Sequence, residues 1–226
     1  AIGFNLRTEA TLRSLTEEVV KTSEIEGELL NREQVRSSVA RRLGVNLGGF
    51  KKPVRDVEGI VEVMLDATQN YHLSLTQNRL FGWHAALFPT GYSGIAQIRV
   101  GKWRNDSKGP MQVISGAIGR EKVHFQAPEA PRLKKEMTIF FEWFEKDQPN
   151  LDPVLKAGIA HFWFVTLHPF DDGNGRIARA IAEMQLARSE KSKQRFYSMS
   201  AQISAERSHY YRTLETAQKG TLDITP

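Results

Sequence analysis

One stretch of this 226-residue sequence concentrates side chains that could do chemistry: His168-Pro169-Phe170-Asp171-Asp172-Gly173-Asn174-Gly175-Arg176-Ile177-Ala178-Arg179. An imidazole, two carboxylates, a Gly-Asn-Gly turn and two arginines fall within twelve residues. Histidine is the member of this set that accepts a proton well near neutral pH. Glycines tolerate unusual dihedrals, so successive N–H groups can converge on an anion where such a turn opens a helix. Arg176 and Arg179 are three apart and share one face of the first helical turn. Cations there oppose the helix dipole, which makes sense if a phosphate chain lies between them and the turn. Asp172 offers the hard oxygen that Mg²⁺ combines with substrate phosphates. The chemistry these types predict is phosphoryl or nucleotidyl transfer from a nucleoside triphosphate.

The elements that must position this stretch are two helices. Apolar, helix-periodic runs flank it, Asp152 to Leu167 upstream and Ile177 to Arg188 downstream, so the reactive residues lie in the intervening loop. Asp152-Pro153 supplies an N-cap and a proline at the first helical position. A first helix is expected over Thr8 to Gly27, with Leu12, Leu15, Val19, Val20 and Ile25 near helical spacing. A second runs from Asn31 to Leu43, with Asn31 as N-cap, Gln34 at the capping-box position and Gly44 ending it. Val57 to Tyr71, Thr76 to Leu87, Glu129 to Lys146 and Ser204 to Lys219 read as further helices, the last capped by Ser204 and stopped by Gly220. Residues 91–119 are glycine-rich, and Gln97 to Val100 and Gln112 to Ser115 read as short strands there. Leu47 to Val54 is a Gly/Lys/Pro hinge dividing a helical lead-in, 1–50, from a core, 51–226. The expected class is all-α, a bundle of about eight helices with one small β-hairpin.

Composition narrows the function further. Hydrophobic residues at 40% and charged ones at 25% describe an ordinary globular protein. Without cysteine there is neither a disulfide nor a thiolate metal site, and a reducing, cytoplasmic home is the expectation. No long apolar run or signal-like start points to a membrane. The net charge of +5 comes from basic residues interspersed with acidic ones, which argues against direct nucleic-acid binding. His72, His84 and His161 read as structural histidines, and outside the reactive stretch no His/Asp/Glu cluster suits zinc. There is no Walker loop or Rossmann fingerprint, and Gly91-Tyr92-Ser93-Gly94 has its second glycine too early for a nucleophile elbow.

Residues 168–179 resemble the Fic signature, His-Pro-Phe-x-Asp/Glu-Gly-Asn-Gly-Arg-x-x-Arg, at every defined position. The resemblance extends over nearly the whole chain. It implies the Fic fold and transfer of AMP from ATP to a Ser, Thr or Tyr hydroxyl of a target protein. By that resemblance His168, Asn174 and Arg176 are the catalytic residues, and Asp172 holds Mg²⁺. ATP would be bound by Asp172, Gly173, Asn174, Gly175, Arg176, Ile177, Ala178 and Arg179. Val113, Ile114, Ser115 and Gly116 would also border ATP, as a flap beside the site that holds the target by strand addition. Tyr210 and Gln218 would lie near adenine or ribose, Gln218 standing where the family more usually has Asn. Thr22-Ser23-Glu24-Ile25-Glu26-Gly27 fits the family's Ser/Thr-x-x-x-Glu-Gly/Asn inhibitory motif. Thr22, Glu26 and Gly27 would then be inhibitory, with Glu26 pairing with Arg179 and reaching the ATP site. Self-modification and homodimers are implied as well. Removal of AMP, another donor (UMP, phosphate, phosphocholine) and a non-enzymatic binding module remain open at this point. The chain stops at Pro226 where family members commonly continue, consistent with a fragment.

Overall fold

The computed structural model describes residues 2–46, 55–107, 109–115, 120 and 122–219. In chain order the helices are α1 (Ile2–Ile25), α2 (Arg32–Arg42), α3 (Arg55–Gln69), α4 (Gln77–Leu87), α5 (Ala130–Glu145), α6 (Pro153–Leu167), α7 (Asn174–Glu190), α8 (Met199–Ala205) and α9 (Arg207–Ala217). Nine helices among the described residues replace the expected eight or so. The hinge at 47–54, Gly116, Gly220 and the C-terminal residues 221–226 lie outside the described residues.

Local capping explains several boundaries. Asn31 accepts from the Gln34 amide, Thr76 from that of Arg79, and Asp152 from those of Val154 and Leu155. Each satisfies N–H groups that a helix start leaves orphaned. The first helix starts before Thr8 and ends at Ile25, with Gly27 past its end at φ +85°. Its Leu12, Leu15 and Val19 join the same core as Val35, Met64, Phe140 and Ile181, so the lead-in helices pack into the rest of the bundle. At the centre stands α7, where Ile177, Ala178, Ala180, Ile181 and Met184 are fully buried. Each buried isoleucine contributes ~1.5–3 kcal/mol, which holds α7 rigidly against α6 and α3.

Two expectations need correction. The last helix is two helices: Ser198, not Ser204, is the N-cap of α8, and the chain breaks at Glu206. Ser204 lies inside α8, where its hydroxyl meets Glu24 of α1. The strand reading is also off. Of 97–100 only Gln97 is in a strand: β1 (Tyr92–Ser93) pairs antiparallel with β2 (Ala96–Gln97) in a small hairpin of its own. The partner of β3 (Gln112–Ser115) is β4 (Lys122–Gln126), an unanticipated strand. Their register, Val113 opposite Phe125 and Ile114 opposite Val123, leaves His124 as the extra residue of a bulge.

Candidate active site

At the C-terminus of α6, His168 takes the left-handed conformation, φ 47° and ψ 56°. A non-glycine residue there costs ~1–2 kcal/mol, and the following Pro169 prevents the helix from continuing. His168 Nδ1 lies 3.2 Å from the Val165 carbonyl. A carbonyl only accepts, so Nδ1 carries the proton and the lone pair is on Nε2. Burial pushes the imidazole pKa down; the Val165 hydrogen bond opposes this, Arg104 adds to it, and Asp172 and Glu26 oppose it. His168 is therefore neutral at pH 7, the form a general base requires.

The loop to α7 is closed by Asn174, whose side chain accepts from the Phe170 amide at 3.0 Å and donates to the Phe170 carbonyl at 2.9 Å. Its amide group is thus committed to shaping the loop. The N-cap of α7 is Gly173 at φ +79°, which offers no side chain to the helix start. A Cβ there would meet the Phe88 ring at 2.8 Å. One at Gly175 would meet the Glu26 carboxylate at 2.2 Å, so glycine keeps the space above the turn open. The first-turn amides lack the usual cap, and the residues flanking them are cationic: Arg176 and Arg179 are 5% and 1% exposed. Ile177 and Ala178 turn into the core, and the Ile177 amide is spent on the Gly173 carbonyl. Their side chains do not line the cavity described below.

Both arginines face carboxylates from the turn after α1. Arg179 Nη2 lies 2.7 Å from Glu26 Oε1, while its Nε bonds to Thr22 Oγ1 at 2.6 Å and Nη2 also reaches the Thr22 carbonyl. Gly27, at positive φ, carries the chain between Glu26 and a second acid. That acid, Glu28, was not anticipated: both its oxygens accept from Arg176 Nη1, at 3.0 and 2.8 Å. Nothing local marks Glu28, because its partner lies far along the chain. Arg176 Nε is a buried donor with no acceptor among the described residues, and its guanidinium lies 5.0 Å from the Phe88 ring centroid.

These groups border a cavity of 960 Å³ lined by Glu26, His168, Gly175 and Arg179 on one side. Val113 and Ile114 of β3, Tyr210 of α9 and Gln218, the C-cap of α9, line it on the other. Ser115 follows in β3. The Tyr210 hydroxyl is 3.1 Å from His161 Nε2, and Gln218 Nε2 donates to Thr166 Oγ1 at 3.1 Å, so both are held against α6. Burial keeps His161 neutral, its pKa down to about 3, and it packs as a structural histidine. Glu215 of α9 meets Lys122 at 3.1 Å and His124 at 3.0 Å, tying β4 to α9.

Asp172 is half-buried, and its oxygens accept from the Gly173 amide and the Ser93 hydroxyl of the β1–β2 hairpin. His84 steadies the same residue. Its Nδ1 accepts from the Gly101 amide, so Nε2 donates to the Asp172 carbonyl at 3.2 Å, with the ring stacked on Phe170. The expectation that His84 is structural holds, and its task is to hold this loop. No group of three or more His, Asp or Glu suited to a metal occurs among the described residues. One accessible carboxylate beside an anion turn suits Mg²⁺ completed by substrate phosphates rather than a closed protein cage.

The site is thus a helical bundle whose central hairpin carries a neutral histidine and an arginine-flanked turn. The chain belongs to the Fic/DOC family, whose model matches residues 74–186; residues 1–45 match the domain of unknown function DUF4172. It is 43% identical over 63 residues to protein adenylyltransferase Fic of Nematostella vectensis, covering 27% of this chain and 15% of that protein. The chain thus spans less than a fifth of that relative's length. Among solved structures, a Fic domain containing signaling protein from Bacteroides thetaiotaomicron superposes with a TM-score of 0.66 at 23% identity, over 94% of this chain and 74% of the other. A Fic family protein from Desulfovibrio desulfuricans gives 0.64 at 25% identity, over 94% and 58%. The fold is the Fic fold. No helix among the described residues is long and apolar enough to cross a membrane.

Proposed function

We propose that this chain transfers AMP from ATP to a hydroxyl of a target protein, itself included, and that the Glu26-Gly27-Glu28 turn holds it in check. One observation carries the reading: a neutral imidazole with its lone pair on Nε2 borders the same cavity as a buried arginine whose guanidinium a carboxylate now occupies. Phosphate oxygens have the charge and geometry to take that carboxylate's place. In the reaction His168 Nε2 accepts the proton of the target hydroxyl, whose oxygen forms a bond to the α-phosphorus. The bond to the bridging oxygen breaks, and pyrophosphate leaves with the electron pair. Arg176 and Arg179 neutralise the phosphate chain, the first-turn amides orient it, and Asn174 keeps the loop in shape. Mg²⁺ held by Asp172 would supply further charge neutralisation on the phosphate oxygens. The catalytic gain is positioning and charge stabilisation with base catalysis added.

The test is incubation of wild type, Glu26→Gly and Glu26→Gly/His168→Ala with Mg²⁺ and α-labelled ATP, followed by intact-mass analysis. An AMP adduct is expected in the single mutant and a loss of about 10²–10⁴-fold in the double. Equal labelling of both would remove His168 as the base. No adduct in any sample, with AMP removed from a modified protein or another donor used instead, would overturn the direction or the transferred group.

A further inference from the structure

Arg104 ends the Gly101-Lys102-Trp103-Arg104 run, outside both the signature and the cavity lining. Its side chain is 0% exposed. Nε donates to the His168 carbonyl at 2.7 Å, and its own amide donates to the Pro169 carbonyl at 2.9 Å. Nη2 donates to the Pro128 carbonyl, and Nη1 to Asp106 Oδ1 at 2.8 Å. The other oxygen of Asp106 accepts from the amide of Ala130, the first residue of α5, at 2.6 Å. A guanidinium is withdrawn from water only where its donors are used. Here they are used mainly on backbone carbonyls.

The choice of carbonyls is informative. His168 stands in the left-handed region, and Arg104 takes its carbonyl and the next. An imidazole moves with the backbone that carries it, so fixing these carbonyls fixes Nε2 over the cavity. Asp106 precedes β3 and Pro128 follows β4, so the same guanidinium holds both roots of the flap.

We propose that Arg104 is a positioning residue for the transfer reaction: it locks the left-handed backbone of His168 and sets the spacing between that imidazole and the flap that presents the target hydroxyl. This rests on the adenylyl-transfer reading of the site. Lysine cannot substitute, because a point-like ammonium has no fork to span carbonyls from two segments. Arg104 also lowers the imidazole pKa, together with burial and against the Val165 carbonyl, Asp172 and Glu26. Loss of its charge and loss of its geometry are therefore separable.

The experiment compares Arg104→Lys and Arg104→Gln in the full chain carrying Glu26→Gly. Thermal melting, ATP affinity, transfer rate and an NMR titration of the His168 imidazole are read for each. Transfer per folded molecule is expected to fall about 10–100-fold in both, the scale of an ångström-level misplacement. ATP affinity should stay that of the parent, since Arg104 does not reach the cavity. The His168 midpoint should rise in Arg104→Gln and stay low in Arg104→Lys, moving the acid limb of the rate profile up in the former alone. A rate that falls only as far as the folded fraction overturns the proposal, as does a rate lost in step with ATP affinity. An unmoved midpoint in Arg104→Gln beside a lowered rate leaves geometry as the whole cause and supports the proposal. If Arg104→Gln does not fold, Arg104→Lys decides through rate against affinity. If the Glu26→Gly parent transfers nothing, the transfer reading itself fails, and the imidazole titration still judges the contact.

Discussion

Two kinds of carboxylate contact join the first helical segment to the bundle, and they are built differently. Glu18, inside α1, is 2% exposed and accepts from the Ser198 hydroxyl at 2.6 Å, the Ser200 amide at 2.9 Å and the Ser200 hydroxyl. All three donors are neutral and sit at the start of α8, so the carboxylate caps that helix and meets the positive end of its dipole. Glu26 and Glu28, just past α1, are 31% and 46% exposed and bind guanidinium groups that are 1% and 5% exposed. A buried acid on neutral donors has no competitor; a half-exposed acid on a buried cation can be displaced by another anion. The first contact is scaffold and the second is exchangeable. On the proposed reading, freeing the two arginines needs only the turn at 26–28 to move, with α1 remaining docked.

Breaking the scaffold side should have the largest effect on stability. Glu18→Ala strands the Ser200 amide and two hydroxyls, which costs ~3 kcal/mol. At roughly 2–4 °C per kcal/mol for a chain of this size, the melting temperature should fall by about 6–12 °C. An unchanged melting curve would show that Glu18 does not anchor α1. Glu26→Gly should do the opposite, raising transfer about 10-fold by freeing Arg179 from a charge-assisted bond. Its melting temperature should shift by less than about 2 °C, since a partly exposed pair adds ~0–1 kcal/mol. A large stability loss without a gain in rate would make the two contacts equivalent and end the distinction.

The base supplies a pH test of the exchangeable side. The His168 pKa is lowered mainly by burial, so the neutral imidazole persists below the ordinary value of 6.5. Transfer by Glu26→Gly should therefore hold as pH falls through 6.5 and drop only below it. Removing Glu26 removes a carboxylate that raises this pKa, which moves the limb further down. A rate already half lost at 6.5 would contradict the buried, neutral histidine.

What could be read from the sequence was what is local. The signature turn, the Asn31, Thr76 and Asp152 caps and the α6–loop–α7 order each depend on residues within a turn of one another. Glu26 was legible only through resemblance, since a lone acid past a helix end has no intrinsic partner. The misses are non-local. Ser204 read as the cap, whereas the helix starts at Ser198, where Glu18 of α1 reaches it. Strand β4 was missed because Lys122 to Gln126 is short and largely exposed, and gains its form by pairing with β3. Arg104, His84 and Glu28 act on partners from distant segments, which no spacing rule contains.

Glu28 gives the smallest and most discriminating effect. Its carboxylate is 46% exposed, so water and salt screen the pair with Arg176. Displacement should then be easy: Glu28→Ala alone should raise transfer less than about 3-fold, as expected for an exposed pair. Its clearer signature is tighter ATP binding at low ionic strength, fading as salt rises past the point where the Debye length is about 8 Å. Combined with Glu26→Gly the gain should persist, because the two acids hold different arginines. Unaltered ATP affinity at low salt would mean that Glu28 merely rests on Arg176, leaving Glu26 as the whole of the exchangeable contact.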